Sequence, residues 1–387
     1  MQEKQRYFSP CPRGLETVLA GELSALHATD IAPTEGGVGF SGNKALGYAV
    51  NLHSRIASRV LKQVSGGRYR DEEDIYRGVT ALDWKALFDP ALTIRVNVAA
   101  ISSPLQSLEF ITLRIKDAVC DKFRAQTGKR PSVDTAEPAV RIHAFLEADR
   151  YTLYLDTSGE PLFKRALRHT GEAPLRENLA AGILALSGWT PDRPLLDPMC
   201  GSGSFLIEAA SIALGIAPGS NRRFAFEKLS DFDGMQWQAV KKAATVAALN
   251  PRPALFGSDL YGDALKLARE NLAAAGFSDA VSLKQANVLE LSAPAEEGVL
   301  VANPPYGVRI GEQDDLAAFY PKLGDVLKKK FAGWRAYLFT GDLRVPKLIG
   351  LTPSKRTPLY NGALECRLYE FKIVSGAMRR ETSGARH

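Results

Sequence analysis

The chain has 387 residues, of which 45% are hydrophobic and 24% are charged, and its formal net charge is +6. This composition is ordinary for a globular protein, and the length predicts two or three domains. No apolar run reaches the roughly 18 residues that a membrane span needs. No hydrophobic segment of the signal-peptide kind follows the N-terminus, so we expect a cytoplasmic protein without a membrane partner. The positive charge is compatible with a polyanionic partner but does not identify one.

The four cysteines lie far apart, at Cys11, Cys120, Cys200 and Cys366. They form no Cys-x-x-Cys pair and no Cys/His cluster, so the sequence predicts no zinc site and no other metal. Scattered cysteines in a chain of this length predict reduced thiols rather than a disulfide framework.

The first half of the chain, up to about residue 173, has the mixed pattern of an α+β fold. Helical spacing or alternation of apolar residues predicts, in chain order, a helix over 14–27, a strand over 93–98, a helix over 108–123 and strands over 140–145 and 151–155.

From about residue 174 the pattern changes to alternating strands and helices. The predicted strands are 195–196, 254–257, 281–283, 299–302 and 334–340, and the predicted helices are 204–214, 261–275 and 313–330. This alternation predicts an α/β fold, with a mostly parallel, Rossmann-like sheet and helices on both faces. A helical region from about 216 to 250 is inserted after the first of these helices.

The end of the chain has a different pattern. Segments 355–360 and 364–371 have no long helix between them and predict an antiparallel hairpin. We expect this hairpin to turn at Asn361-Gly362, a pair that favours the type I′ turn. The polar and basic residues 378–387 predict a disordered tail.

A glycine-containing loop, Asp-Pro-Met-Cys-Gly-Ser-Gly-Ser-Phe at 197–205, lies between a predicted buried strand and a predicted helix. Gly201 and Gly203 allow backbone torsions that other residues avoid and let a ligand approach the main chain. The start of the next helix offers amide donors, so a nucleotide-like ligand fits. A dinucleotide fold would place a third glycine at Leu206, and a P-loop would need a lysine after the glycines; neither residue is present.

An aspartate before the glycine loop suits a ligand that carries an amino group, and S-adenosylmethionine is such a ligand. We expect its amino-acid part to be held by Asp197 and by the loop residues Cys200, Gly201 and Gly203. Asp259, at the end of the second strand, should accept hydrogen bonds from both ribose hydroxyls, as a carboxylate does well. These residues predict a methyltransferase.

The residues Asn303, Pro304, Pro305 and Tyr306 directly follow the apolar strand 299–302. Two prolines cannot continue a strand, so the chain should turn at the carboxyl edge of the sheet, where ligands bind in such folds. The amide oxygen and a rigid carbonyl can accept two hydrogen bonds from a planar NH2 group, and the ring can stack on the group that carries it. The alternative is a proline-rich turn without chemistry.

These motifs resemble the THUMP-domain class I RNA methyltransferases, and most closely the bacterial RlmL group. The resemblance extends over nearly the whole chain and includes the stretches 13–16, 115–121, 130–131, 156–159, 164–165, 173–180 and 359–366. It implies a ferredoxin-like segment at 1–60, a THUMP RNA-binding domain at 61–165, a methyltransferase domain at 166–378 and a tail at 379–387.

The resemblance also implies roles for single residues. Enzymes of this kind contact adenine at the position of Asn287, usually through an aspartate; asparagine can still accept a hydrogen bond, and otherwise it only shapes a turn. THUMP domains bind the backbone and ends of structured RNA. The candidate RNA contacts are Arg130, Lys164, Arg165 and Arg168, each of which is otherwise a solvated surface residue.

The implied activity is methyl transfer to the exocyclic N2 of a guanosine in 23S rRNA. The Asn303 side chain and the Pro304 carbonyl would hold the amine, and Tyr306 would stack on the base. Guanine in transfer RNA, adenine N6 and a protein glutamine are alternative targets. A ribosome-assembly factor that binds RNA and keeps a vestigial cofactor pocket is an alternative of another class. The modified guanosine and the oligomeric state stay open.

Overall fold

The computed structural model describes residues 4–165, 175–244, 252–304 and 312–374, with the backbone alone at 312–316. Its contacts divide the chain into two compact units. The first unit comprises residues 1–165 and 217–246, and the second comprises residues 166–216 and 247–387. Within the described ranges, no helix has both the length and the apolar character that crossing a membrane requires.

The first unit is built around one mixed sheet. Its elements are β1 (Gln5–Pro10), α1 (Glu16–Ala25), β2 (Thr29–Thr34), β3 (Gly37–Gly42), α2 (Lys44–His53), β4 (Leu61–Arg68), α3 (Glu72–Ala81), β5 (Ile94–Ile101), α4 (Leu108–Thr127), β6 (Val140–Glu147) and β7 (Arg150–Asp156). The strand order is β2-β3-β1-β4-β7-β6-β5, and β5 pairs with β6 in parallel while the other pairs are antiparallel. The predicted α+β fold of this half is confirmed.

Helix α4 shows how the local sequence defines an element. The Ser107 hydroxyl accepts a hydrogen bond from the amide of Phe110 at 3.1 Å, which caps the first turn. Gly128 ends the helix at φ +72°, a left-handed conformation that glycine adopts without strain. Between these ends, apolar residues such as Ile115 and Phe123 are buried. The predicted helix is therefore confirmed, and it extends to Thr127.

The second unit is built around a mostly parallel sheet. The chain continues with α5 (Glu177–Ser187), β8 (Leu195–Asp197), α6 (Ser204–Ala213), α7 (Gly234–Ala243), β9 (Leu255–Asp259), α8 (Gly262–Ala274), β10 (Val281–Gln285), β11 (Gly298–Ala302), α9 (Glu312–Lys330), β12 (Trp334–Thr340), α10 (Val345–Leu348), β13 (Lys355–Asn361) and β14 (Leu364–Lys372). All of these except α7 belong to the second unit. The strand order is β10-β9-β8-β11-β12-β14-β13, parallel from β10 to β12 and antiparallel at β14 and β13. The predicted α/β fold is confirmed.

The inserted segment 217–246 packs within the first unit through aromatic side chains. The Phe226 ring lies 4.3 Å from the Tyr48 ring of α2, measured between centroids. The Trp237 ring of α7 lies 5.2 Å from that of Phe226, and Trp237 is buried. The domain bounds expected from the sequence put this segment inside the methyltransferase domain, whereas the contacts group it with the first unit.

The hairpin of β13 and β14 is confirmed, but its turn differs from the prediction. Asn361 pairs with Leu364, so the two-residue loop is Gly362-Ala363 rather than Asn361-Gly362. Gly362 has a φ of +64°, and Ala363 has no positive φ. The type I′ turn needs positive φ at both loop residues, so that prediction is wrong. Glycine at the first loop position is typical of the type II′ turn instead.

Candidate active site

Three parallel strands of the second unit bring Asp197, Asp259 and Asn303 to one edge of the sheet. Strand β8 ends at Asp197 and β9 ends at Asp259. Strand β11 ends at Ala302, directly before Asn303. Strand β8 pairs with both β9 and β11, and neighbouring strands lie about 4.8 Å apart. The carboxyl ends of these strands therefore lie side by side, where the sequence predicts the site.

Asp197 is a buried carboxyl at the centre of this edge. The residue is 2% exposed, and its Oδ1 accepts a hydrogen bond from the amide of Met199 at 3.3 Å. Its pKa is raised well above the ordinary aspartate value, first because burial disfavours the charged form and then because Asp259 carries a like charge. A cationic amino group placed against Asp197 would stabilise the ionised carboxylate, so its chemistry fits the amino group of S-adenosylmethionine.

The glycine loop after Asp197 leaves room for a ligand on one side and packs against helix α8 on the other. Gly201 has a φ of +50°, and a Cβ added to it would meet nothing within 4 Å. Gly203 has a φ of +85°, and a Cβ added there would lie 3.5 Å from the Cβ of Ala268. The open side at Gly201 is where the main chain can be approached closely.

Asp259 connects the glycine loop to the loop that follows β9. Its Oδ2 accepts a hydrogen bond from the Gly201 amide at 2.9 Å, and its Oδ1 accepts one from the Tyr261 amide at 3.0 Å. Each carboxylate oxygen can accept a further hydrogen bond, so the predicted contacts with the ribose hydroxyls are compatible with this geometry and stay a prediction. The sequence did not indicate the structural role of this side chain.

Hydrogen bonds with α8 and β9 hold the backbone of the glycine loop. The buried Asn271 of α8 donates a hydrogen bond from Nδ2 to the Ser202 carbonyl at 3.0 Å. The Cys200 amide donates to the Ser258 carbonyl at 2.9 Å, and the Cys200 thiol packs in a buried cluster with Leu206 of α6. Burial raises the pKa of this thiol, so it stays neutral. Asn271 was not predicted from the sequence. Its position as a polar residue on the apolar face of a helix could have indicated a buried hydrogen bond.

Asn287 follows β10 at the same edge of the sheet. Its Oδ1 accepts a hydrogen bond from the Leu289 amide at 3.0 Å, so the side chain shapes the turn in the way asparagine often does. The preceding residue, Ala286, donates from its amide to the Asp259 carbonyl at 3.0 Å. The turn role is therefore present, and the contact with adenine stays a prediction.

Asn303 and Pro304 lie where the sequence places them, directly after β11. Leu300 pairs with Leu196, and continuing this register sets Asn303 level with Met199. Asn303 is half-buried and Pro304 is buried, so the asparagine side chain lies at the edge rather than in the core. The predicted stacking residue Tyr306 and the second proline, Pro305, lie outside the described residues.

The predicted RNA contacts belong to the first unit where they are described. Arg130 is exposed. Lys164 is exposed as well, and its ammonium lies 3.2 Å from the Glu160 carboxylate. Arg165 is half-buried and donates to the carbonyl of Arg55. The fourth residue of this prediction, Arg168, lies outside the described residues.

The sheet order, the glycine loop after β8, the acidic end of β9 and the asparagine after β11 define an S-adenosylmethionine-dependent methyltransferase. The family models agree. Residues 165–370 match the RMKL-like methyltransferase domain, residues 69–156 match the THUMP domain and residues 6–61 match the RlmL ferredoxin-like domain. Since the first match covers more than half of the chain, this protein belongs to the RMKL-like methyltransferase family. The resemblance stated from the sequence is thus confirmed.

Similar proteins extend over both halves of the chain. The chain is 38% identical to the Synechocystis sp. protein slr0064, over 95% of this chain and 96% of that protein. It is 37% identical to the ribosomal RNA large subunit methyltransferase K/L of Photobacterium profundum, over 98% of this chain and 54% of that protein, so it spans about half the length of this relative. The crystal structure of SMU.472, a complex with S-adenosylhomocysteine, has a TM-score of 0.88 at 32% identity and covers 97% of this chain and 100% of that chain.

Proposed function

We propose that this protein transfers a methyl group from S-adenosylmethionine to the exocyclic N2 of a guanosine in 23S rRNA, in the cytoplasm. The observation that carries the proposal is the pairing of β8 with β11. This pairing sets the buried carboxyl of Asp197 beside the strand that leads directly into Asn303 and Pro304. An acidic group for the cofactor and an amide for the target amine thus lie on adjacent strands at one sheet edge.

S-adenosylmethionine supplies a methyl group that is already activated by its bond to a sulfonium sulfur. The protein therefore contributes mainly by positioning the two reactants. The N2 lone pair of guanine is delocalised into the ring, which makes the amine a poor nucleophile. Hydrogen bonds from the NH2 to the Asn303 oxygen and the Pro304 carbonyl would draw the nitrogen toward tetrahedral geometry. The lone pair would then be directed at the methyl carbon.

The proposed methyl transfer needs no ionised base from the protein. The C–S bond breaks as the N–C bond forms, and the sulfur keeps the electron pair and becomes a neutral thioether. The methylated nitrogen then carries a positive charge until it releases one proton to solvent. The predicted stacking of Tyr306 on the base would add roughly 1–3 kcal/mol of binding energy.

Support for an RNA substrate comes from the first unit and from the relatives. Residues 69–156 match the THUMP domain, and the Photobacterium relative is named as acting on large-subunit ribosomal RNA. The candidates for phosphate contacts are the exposed Arg130 and the exposed Lys164, which would have to exchange its pairing with Glu160 for a phosphate. If such contacts hold the RNA, its affinity should fall as the salt concentration rises.

The experiment that tests the proposal is methylation of fractionated RNA with methyl-labelled S-adenosylmethionine. The purified protein is incubated separately with 23S rRNA, 16S rRNA and transfer RNA, and the digested nucleosides are separated. We expect the label in N2-methylguanosine from 23S rRNA. Label in N6-methyladenosine, in transfer RNA alone or in protein would contradict the proposed substrate. Binding of RNA without any label in it would indicate a non-catalytic assembly factor.

A further inference from the structure

We propose that Arg344 contacts the O6 and N7 edge of the target base and so selects guanine over adenine. This inference rests on the proposed function and names the residue that determines its base specificity. Arg344 was not among the candidate residues from the sequence. The inference is supported by the position of Arg344, its exposure and the carboxylate that holds it.

Arg344 lies at the same edge of the sheet as Asn303. Strand β12 pairs in parallel with β11, and Ala302 is opposite Leu338. Continuing this register sets Pro304 level with Thr340, the last residue of β12. Strand β12 lies next to the strand that precedes Asn303, and Arg344 follows four residues after its end, in the turn that leads to α10. A long side chain in this turn would lie near the base whose amine Asn303 holds.

The guanidinium of Arg344 is held by a bidentate pair with Asp342. Its Nε donates to Oδ1 and its Nη2 donates to Oδ2, each at 2.9 Å. The Arg344 amide also donates to Oδ1, at 2.9 Å. The Asp342 side chain is 6% exposed, whereas the Arg344 side chain is 47% exposed. A buried carboxylate thus fixes the plane of a guanidinium that is half open to solvent.

The turn that carries the pair is itself fixed. The Asp342 amide donates to the Thr340 hydroxyl at 3.0 Å, and a Cβ added to Gly341 would lie 3.3 Å from Cδ2 of Leu364, so the turn packs closely against the β13–β14 hairpin. The hydrogen bonds from Arg344 hold the pKa of Asp342 below the ordinary aspartate value, although burial acts in the opposite direction. The carboxylate therefore stays ionised at neutral pH and keeps the arginine in place.

A fixed guanidinium can distinguish the two purines because their edges differ. Guanine presents two acceptors, O6 and N7, which a guanidinium recognises with two parallel hydrogen bonds, whereas adenine presents an N6 amino donor beside N7. The pair with Asp342 is made through Nε and Nη2 of this guanidinium. Because Asp342 neutralises the charge of Arg344, the pair favours a directional contact with a base over attraction to phosphate.

The test compares guanosine with 2-aminopurine at the target position of a 23S rRNA fragment. 2-Aminopurine keeps the N2 amine and N7 but lacks O6. For the wild type, we expect kcat/KM at least about tenfold higher on guanosine, since a bidentate base contact is worth about 1–3 kcal/mol of discrimination. Arg344→Ala should lose about tenfold or more on guanosine and little on 2-aminopurine, so that the ratio approaches one. Arg344→Lys keeps the positive charge but not the two parallel donors of the guanidinium, so its kcat/KM ratio of guanosine to 2-aminopurine should also approach one.

Arg335→Ala is the matched control, because Arg335 is an exposed arginine near the start of β12, at the opposite end of that strand from the turn that carries Arg344. It should leave the ratio unchanged, and calorimetry with S-adenosylmethionine should give wild-type affinity for each variant. If Arg344→Ala lowers kcat/KM equally on both bases, or if Arg344→Lys keeps the wild-type kcat/KM ratio, the assignment of Arg344 to O6 is overturned. If the wild type methylates no guanosine N2 at all, the proposed function fails instead, and this outcome is visible before any variant is made.

Discussion

At the scale of single residues, Asp197 shows how one side chain connects stability with cofactor chemistry. Its carboxyl is buried, and its Oδ1 accepts a hydrogen bond from the Met199 amide. A charge in such surroundings is costly unless it is paired, which is why its pKa is raised. We expect the carboxyl of the cofactor-free protein to hold its proton to a higher pH than an ordinary aspartate does, and to ionise when the amino group of S-adenosylmethionine is placed against it.

The variant Asp197→Asn should therefore be more stable than the wild type and bind the cofactor less tightly. Because the folded pKa exceeds the unfolded value of about 3.9, the wild type loses stability as pH rises from the unfolded pKa to the folded pKa. The amide does not titrate, so the Tm difference in favour of Asp197→Asn should grow with pH across that window. Loss of a charge-assisted hydrogen bond, about 1.5–3 kcal/mol, should weaken cofactor affinity by about 10- to 150-fold.

Thermal unfolding between pH 4 and pH 9 and calorimetry with S-adenosylmethionine measure the two effects. A Tm difference that does not change with pH would contradict the raised pKa. Unchanged cofactor affinity would remove Asp197 from the amino-group site.

Other residues of the site show what the sequence could and could not indicate. The positions of Asp197, Asp259 and Asn303 followed from strand ends, because each lies directly after or at the end of an apolar run. The hydrogen bond from Asn271 to the Ser202 carbonyl did not follow, and neither did the pairing of Asp259 with the Gly201 amide. Both hydrogen bonds join residues far apart in the sequence, so no pattern of neighbouring residues predicts them.

At the scale of elements, the loop between β8 and α6 is held in place by its neighbours. Asp259 at the end of β9 and Asn271 on α8 each hydrogen-bond its backbone, while Gly203 packs close to α8. The open side at Gly201 is thus a fixed surface rather than a loose segment. A pre-formed surface binds its ligand without the entropic cost of ordering the loop.

The variant Gly201→Ala tests whether the cofactor approaches this open side. Alanine at a φ of +50° is strained by about 1–2 kcal/mol and should lower the Tm by a few degrees. Its methyl group would also occupy the approach side, so we expect S-adenosylmethionine affinity to fall at least about tenfold. Gly188→Ala is the matched control, since Gly188 has a φ of +65° and equally open space at the end of α5. Equal affinities of the two variants in calorimetry would contradict the placement.

The strands also differ in how far the sequence predicted them. The parallel strands β8, β9, β10, β11 and β12 were all predicted because their short apolar runs alternate with helices. Strands β1 to β4 were not. Strand β3 has the sequence GVGFSG and β1 ends in proline, and glycine and proline are poor strand formers. These strands are stabilised by pairing with each other, which a single-sequence pattern does not contain.

At the scale of the whole molecule, the chain crosses between its two units more than once. The first unit takes residues 217–246 out of the middle of the methyltransferase half, and Phe226 and Trp237 anchor this segment beside Tyr48. A fragment that starts near Leu175 would keep the segment and lose its packing partners. Removal of the first unit therefore does not test its role in RNA binding cleanly, and point variants are preferable.

The variant Trp237→Ala should destabilise the first unit although residue 237 lies between two methyltransferase segments in the sequence. Truncation of a buried tryptophan costs about 3–5 kcal/mol. Hydrogen exchange followed by peptide analysis should show lost protection in α2 and little change in β8, β9 and β11. Met235→Ala, on the same helix at 86% exposure, is the control and should change the stability by less than about 0.5 kcal/mol. Lost protection in the parallel sheet alone would contradict the division into units.

The variant Asn303→Ala tests most directly whether one sheet edge holds both the cofactor and the target amine. The measurement is single-turnover methylation of 23S rRNA together with calorimetric S-adenosylmethionine affinity of the same protein. We predict wild-type affinity and a methylation rate lower by about 100-fold or more, because misplacement of a reacting group by about 1 Å can cost that much. A methylation rate equal to that of the wild type would contradict the account, since the amine would then be held elsewhere.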